Sequence, residues 1–166
     1  MWAEIMGRFA DSPAQARVVR FLLENGFGVS ARGRVTCNGV EIPSTHVGKA
    51  TGTDRRVVDT TVKRILEDRV LSKIFINMRV TPDLSQVADS LGLTVLTILP
   101  RDASEKGIIG AAVGVLHDHD LNIRQIFVTD PYFSEQPKLV IILDGPLPVG
   151  VVEEIRALPQ IRSVML

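Results

Sequence analysis

The apolar positions in the first 80 residues follow two different periods. Over 1–25 they recur every three or four residues, which predicts two amphipathic helices separated by a break at Ser12-Pro13. Over 27–43 they alternate on both sides of Asn38-Gly39, a dipeptide typical of tight turns, which predicts a β-hairpin. Helical spacing then returns and predicts two further helices followed by a connector or strand, over 45–51, 54–69 and 70–80.

Beyond residue 92, short apolar runs alternate with helical patterns. The predicted order is βαββαβ, over 93–99, 105–119, 121–129, 138–143, 148–158 and 161–165. Two βαβ halves with right-handed crossovers form one antiparallel sheet with both helices on one face, the ferredoxin-like arrangement. The sequence therefore predicts an α+β protein with domains over 1–80 and 93–166. A helix over 81–92 connects them, and the boundary falls within 70–92.

Charge divides the chain in the same way as the apolar pattern. Of the 166 residues, 1–80 hold thirteen Lys and Arg against eight Asp and Glu, which gives +5, and 81–166 hold six against eleven, which gives −5. A basic half next to an acidic half is typical of a protein that binds a polyanion at one end. Cys37 is the single cysteine, and no secretion signal or long apolar run is present, so we expect a cytoplasmic protein without a membrane span.

The two helices around Gly52 predict a helix-turn-helix with the hairpin inserted before it. Gly52 suits a sharp turn, Gly48 allows a close crossing, and Thr53 is the expected N-cap of the second helix. The opposite, polar face of that helix supplies the predicted DNA-binding residues, Thr53, Arg55, Arg56, Thr60, Lys63 and Arg64, with Arg32 and Arg34 of the hairpin as a basic wing. An ordinary helical pair with a solvated charged face is the alternative.

Three segments of the second half together resemble the ACT domain, a ligand-sensing family. They are Leu96-Thr-Ile-Leu-Pro-Arg-Asp, Gly107-Ile-Ile and Leu121-Asn-Ile-Arg-Gln. The resemblance covers 93–166 and implies ligand binding and a homodimer, with the ligand at the seam between two domains. The whole chain, including Asp54-Arg-Arg-Val-Val, resembles microbial regulators of amino-acid metabolism that end in an ACT domain.

The residues of this region suit an α-amino acid as effector. Gly107 opens a helix, whose free N–H groups attract a carboxylate, and Asp102 is an anionic partner for an ammonium group. Asn122, on the neighbouring strand, offers both a hydrogen-bond donor and an acceptor. Because the loop from Pro100 to Gly107 is longer than is usual in the family, Lys106 is an alternative partner for an anionic ligand. The predicted ligand-binding residues are Arg101, Asp102, Lys106, Gly107, Ile108, Asn122 and Gln125.

Two classes of function remain open, and catalysis is not among those favoured. No nucleophile or acid–base pair is legible, no cofactor is expected, and the alternation of His and Asp over 117–120 does not place ligands on one helix face. The first class is a transcriptional regulator that binds DNA and responds to an amino acid. The second is a sensing module that docks onto a metabolic enzyme without binding DNA.

Overall fold

The computed structural model describes all 166 residues, which form two compact units, Met1–Thr81 and Pro82–Leu166. We call them the N-terminal and C-terminal units. The first combines helices with a small antiparallel sheet, and the second is a four-stranded antiparallel sheet with helices. The predicted α+β class is therefore confirmed, with a helix-turn-helix and inserted hairpin in one unit and a ferredoxin-like fold in the other.

The N-terminal unit contains five helices and three short strands. In chain order these are α1 (Trp2–Gly7), α2 (Pro13–Glu24), β1 (Gly28–Val29), β2 (Val35–Cys37), β3 (Val40–Ile42), α3 (Ser44–Thr51), α4 (Arg55–Glu67) and α5 (Arg69–Asn77). The helices bury their apolar stripes against one another, and the largest fully buried side chains of this unit are Phe9, Leu22, Ile65, Leu71 and Phe75. The predicted hairpin is present, since Cys37 pairs with Val40 across Asn38-Gly39.

The segment after α4 differs from the prediction. The connector or strand expected over 70–80 is helix α5, in which Leu71 and Phe75 lie one turn apart and are buried. Asp68 causes the change, because it ends α4 in an extended conformation and its carboxylate accepts hydrogen bonds from the backbone N–H groups of Val70 and Leu71. A side chain that caps the next helix allows a break of one residue between two helices.

The C-terminal unit has a βαββαβ order. Its elements are β4 (Leu93–Pro100), α6 (Ile108–Asp118), β5 (Ile123–Val128), β6 (Leu139–Asp144), α7 (Val151–Ala157) and β7 (Ile161–Met165). The sheet order is β5-β6-β4-β7 and all neighbours are antiparallel. Alternate residues of β4 and β6 pack with both helices in one core, which contains Leu96, Ile98, Ile108, Leu116, Ile141 and Ile155.

The segment 82–92 is not the single connecting helix that the sequence predicts. It forms two short 3-10 helices, Ser85–Val87 and Asp89–Leu91, and belongs to the C-terminal unit. The carboxylate of Asp83 accepts hydrogen bonds from the N–H and hydroxyl groups of Ser85, which favours a tight turn over a regular helix. The segment returns to the sheet where the N–H of Leu93 donates to the carbonyl of Ala88.

Two glycines inside helices test how far the helix-turn-helix depends on close backbone packing. A Cβ atom at Gly48 would lie 2.8 Å from the carbonyl oxygen of Thr53, whereas one at Gly114 in α6 would meet nothing within 4 Å. We expect Gly48→Ala to lower the free energy of unfolding by about 1–3 kcal/mol. Gly114→Ala should raise it by roughly 0.5–1 kcal/mol, because alanine favours helix. Amide hydrogen exchange of α4 and α6 measures both effects, and equal stability of the two variants would contradict the packing argument.

Candidate functional site

The turn between α3 and α4 holds the two helices in a fixed arrangement. Gly52 ends α3 with a φ of +64°, a conformation that glycine adopts without strain, and the N–H of Thr53 donates to the carbonyl of Gly48 at 2.8 Å. The hydroxyl of Ser44, at the start of α3, donates to the carboxylate of Asp59 in α4 at 2.6 Å. The helices are thus joined both at the turn and across their faces.

One face of α4 is buried and fixes which residues point outward. Val58, Val62 and Ile65 are buried, as the predicted stripe requires, and Thr61 is fully buried among them. Its hydroxyl donates to the carbonyl of Val57 at 2.7 Å, so the polar atom is satisfied inside the helix. The polar residues of α4 therefore lie on the opposite, exposed face. At the start of α4 this face is next to α3.

An open cleft of about 550 Å³ lies between α3 and the start of α4. It is lined by Thr45, Lys49, Thr53, Asp54, Arg55 and Arg56. Both arginines are exposed and neither forms an ion pair. Three predicted DNA-binding residues thus lie together, while Thr45 and Lys49 were missed because they come from the preceding helix. Their one-turn spacing on α3 was the available signal.

The sequence predicts Thr53 as the N-cap of α4, but the structure has Asp54 at that position. The carboxylate of Asp54 accepts a hydrogen bond from the N–H of Arg56 at 2.8 Å. The hydroxyl of Thr53 lies instead 2.9 Å from that of Thr51 and remains at the edge of the cleft. Aspartate at this position is equally effective as a cap, so the helix start moves by one residue without loss of the cleft.

The remaining predicted DNA-binding residues of α4 do not share one environment. Thr60 is exposed and donates its hydroxyl to the carbonyl of Arg56 at 2.7 Å. Lys63 is exposed and lies 3.8 Å from Glu67, one turn further on, a weak surface pair. Arg32 and Arg34 of the predicted wing are exposed in the loop between β1 and β2.

Arg64, also a predicted DNA-binding residue, makes structural contacts that the other cations of α4 do not. Its guanidinium group donates to the carbonyl of Arg8 at 2.6 Å and to Gln15 at 2.9 Å, pairs with Asp11 at 3.0 Å, and stacks over the ring of Phe9 at 4.9 Å. The hydrogen bond from Arg64 lowers the pKa of Asp11 below its usual value. Because these partners hold the guanidinium, we leave Arg64 out of the DNA-binding surface proposed below, although 36% of its side chain is exposed.

In the C-terminal unit, a cavity of about 380 Å³ opens at the edge of the sheet where β4 and β5 end and β6 begins. We call it the effector cavity, after the function that is proposed for it below. Of the predicted ligand-binding residues, only Gly107 and Ile108 line it. The other lining residues are mostly apolar and include Pro100, Ile109, Val128, Pro131, Pro137 and Leu139, with Glu105, Thr129, Asp130 and Lys138 as the polar members.

Arg101 and Asp102 lie beside the effector cavity in a separate, polar cleft of about 570 Å³. Arg101 donates to the carbonyl of Pro159 at 3.1 Å, and Asp102 accepts from both the N–H and the hydroxyl of Ser104, at 2.8 and 2.6 Å. The hydrogen bonds from Ser104 lower the pKa of Asp102. These two hydrogen bonds stabilise a turn at 102–104. The sequence predicts that the helix begins at 105, whereas α6 begins after this turn, at Ile108.

Asn122 and Gln125, two predicted ligand-binding residues, do not line the effector cavity of the same chain. The starts of β4 and β5 both lie beside the end of β6. Asn122, just before β5, and Gly107, after the end of β4, are therefore at opposite ends of the strands. Gln125 is occupied structurally, because its amide donates to the carbonyl of Pro82 at 2.7 Å and accepts from the N–H of Leu84 at 3.1 Å. Lys106 is exposed and lines neither cavity.

Comparisons with known proteins add one structural likeness. No protein-family profile matches the chain, and no curated protein matches it. Among solved structures, it is similar to an AsnC family transcriptional regulator from Agrobacterium tumefaciens, with 13% sequence identity and a TM-score of 0.30. The alignment covers 93% of this chain and 86% of that chain. A likeness at this level does not identify functional residues, so a function has to be inferred from the side chains described above.

Membrane-spanning helices and metal-binding clusters were also sought in the structure. None of the helices has both the length and the apolar character that a membrane span requires. No group of three His, Cys, Asp or Glu side chains is placed to hold a metal ion. Within the run over 117–120, the imidazole of His119 lies 3.0 Å from the carboxylate of Glu154 in α7.

Arg64 and Lys63 are neighbouring cations in α4, and we expect only Arg64 to contribute to stability. We expect Arg64→Ala to lower the free energy of unfolding by about 1–2 kcal/mol, because it removes hydrogen bonds and ring stacking at a half-buried site. Lys63→Ala should change it by less than about 0.5 kcal/mol, as is usual for surface positions. Urea denaturation gives both values. A stable Arg64→Ala variant would return Arg64 to the set of candidate DNA contacts.

The lowered pKa of Asp102 predicts a dependence of the loop on pH. Since the pKa is below the ordinary value of 3.8, the stabilisation by the carboxylate is complete above about 3.8 and is lost as the pH falls through the lowered value. Ser104→Ala should move the pKa of Asp102 back toward 3.8, because both the hydroxyl donor and its turn are affected. Carboxyl NMR titration measures this shift, and an unchanged pKa would show that Ser104 is not the cause.

Proposed function

We propose that this protein is a regulator that binds DNA through the α3–α4 helix-turn-helix and a small amino-acid effector through its C-terminal unit. The observation that carries the proposal is the cleft at the start of α4. There Arg55 and Arg56 are exposed and unpaired, and Lys49 adds a third cation from α3. Two helices joined by a short turn place such residues at the N-terminus of the second helix, the part that enters the major groove in proteins of this type.

The surroundings of the cleft favour a phosphate-bearing partner. Thr45 and Thr53 add hydroxyl groups to the three cations, and Thr60 and Lys63 extend the polar surface along α4. Hydroxyl and cationic side chains at a helix N-terminus are typical phosphate ligands. Because the N-terminal half carries a charge of +5, attraction to a polyanion acts over the whole unit and not only at the cleft.

The effector site is proposed at the effector cavity. The backbone N–H groups at the start of α6 favour a carboxylate, and Gly107 leaves them accessible. A cavity of about 380 Å³ is at the small end of the range, about 300–1,000 Å³, that small-molecule sites occupy. The resemblance to ACT domains makes an amino acid the expected class of ligand, in a cytoplasmic protein without a cofactor.

A homodimer is part of the proposal. β5 is an edge strand and exposes Ile123 and Ile126, so its backbone is open to pairing with another strand. At Gly110 and Gly114 of α6 a Cβ atom would meet nothing within 4 Å, so this strip of the helix is open. Pairing of two copies along β5 would cover Ile123 and Ile126 and would duplicate the DNA-binding surface, as two half-sites require.

Regulation requires that the effector distinguish two states of the protein. A ligand changes DNA affinity only as far as it binds one arrangement of the dimer better than another. The rival function, docking onto a metabolic enzyme without DNA binding, uses the same cavity but gives the cleft cations no role in nucleic-acid affinity. Charge reversal in the cleft therefore separates the two.

DNA binding is tested by fluorescence anisotropy with duplex DNA at several salt concentrations. We expect a dissociation constant that rises steeply with salt, with a slope set by the number of neutralised phosphates. The double variant Arg55→Glu/Arg56→Glu should weaken binding at least tenfold, because it removes two cations and adds two anions at the cleft. The matched control is Lys73→Glu, which reverses an exposed charge on α5 and should have a much smaller effect.

Two results would count against DNA binding. One is the absence of any binding at low salt, and the other is an equal loss of affinity in the cleft variant and in the α5 control. Retained capture of a metabolic enzyme under those conditions would favour the docking function.

A further inference from the structure

We propose that the effector cavity selects a zwitterionic amino acid with a branched aliphatic side chain. The inference rests on the proposed function only for the expectation that the effector is an amino acid. The preference for an aliphatic side chain and the two charged contacts come from the lining of the cavity.

The walls of the effector cavity are apolar and rigid. Ile108 and Leu139 are buried and belong to the core of the unit, whereas Ile109 and Val128 are 46% and 57% exposed at the open side. Three prolines, Pro100, Pro131 and Pro137, line the rest and restrict the backbone of both loops. An aliphatic group entering the cavity would cover the exposed parts of Ile109 and Val128 and displace water from them.

Two opposite charges at the effector cavity match the two ends of a free amino acid. Glu105 and Lys138 both line the cavity, and neither forms an ion pair within the protein. The carboxylate of Glu105 is assigned to the ammonium group of the ligand, and the ammonium group of Lys138 to its carboxylate. Asp130 has a different task, since its carboxylate accepts from the N–H of Tyr132 at 2.8 Å and shapes the loop.

A polar side chain on the ligand would find few partners inside the effector cavity. Thr129 is the single hydroxyl-bearing residue of the lining. Glu105 and Lys138 are assigned to the charged ends of the ligand, and the carboxylate of Asp130 already accepts from the N–H of Tyr132. A buried polar group that loses water without gaining a hydrogen bond weakens binding. The lining therefore favours leucine, isoleucine or valine over serine, aspartate or lysine.

Isothermal titration calorimetry of the full chain tests the ligand class. The probes are L-leucine, L-isoleucine and L-valine, compared with L-serine, L-aspartate and L-lysine. We expect the best branched amino acid to bind at least tenfold more tightly than any polar one, since each methylene group in an apolar pocket contributes about tenfold. Equal or tighter binding of the polar amino acids would overturn the proposal, as would no binding of any branched amino acid.

Two truncated probes and two charge variants test the assigned contacts. 4-Methylpentanoate lacks the ammonium group and 3-methylbutylamine lacks the carboxylate, and both should bind more weakly than leucine. Lys138→Gln should weaken leucine at least tenfold but leave 3-methylbutylamine unchanged. Glu105→Gln should weaken leucine equally and leave 4-methylpentanoate unchanged. Lys73→Gln and Glu153→Gln, two exposed charges outside the cavity, are the matched controls.

The assignment of Lys138 is wrong if Lys106→Gln lowers the affinity for leucine more than Lys138→Gln does, because the carboxylate of the ligand would then lie outside the cavity. That result leaves DNA binding by the α3–α4 cleft unaffected. The DNA assay therefore distinguishes failure of this inference from failure of the proposed regulator.

Discussion

The contact between two backbones at the α3–α4 turn determines what the N-terminal unit can present to a partner. Gly48 lies so close to the Thr53 carbonyl that a methyl group there would sit 2.8 Å from the oxygen. With the helices this close, Lys49 of α3 and Arg55 of α4 line the same cleft. The cationic surface therefore depends on the close crossing at Gly48, where the N–H of Thr53 donates to the Gly48 carbonyl.

Features set by local chemistry were predictable from the sequence. The hairpin at Asn38-Gly39, the turn at Gly52 and the buried stripe from Val58 to Ile65 depend on residues within one or two turns of each other. The two 3-10 helices and α5 were not predicted, although their causes are also local. In both cases an aspartate, Asp83 or Asp68, accepts hydrogen bonds from the next backbone N–H groups and changes how the chain continues.

The candidate sites were less predictable, because the role of a charged side chain depends on distant partners. Arg64 directly follows Lys63 in α4, yet it is held by Asp11 and Gln15, which precede it by 53 and 49 residues. The same applies to Gln125, whose amide holds the backbone at Pro82 and Leu84 across more than 40 residues.

Strand direction explains why the expected ligand-binding residues differ from the residues that line the effector cavity. In a βαββαβ sheet the first and second strands run in the same direction, so the loop after β4 meets the end of β5 and not its start. A predicted site that combines Gly107 with Asn122 is therefore incompatible with a single copy of the fold that the sequence itself predicts. The end of β5 and the start of β6 supply Val128 and Lys138 instead, and these follow from topology once the strand order is applied. If each motif residue is assigned to the end of the sheet at which its strand starts or stops, the sequence locates the cavity. It does not indicate which charged side chains line that cavity.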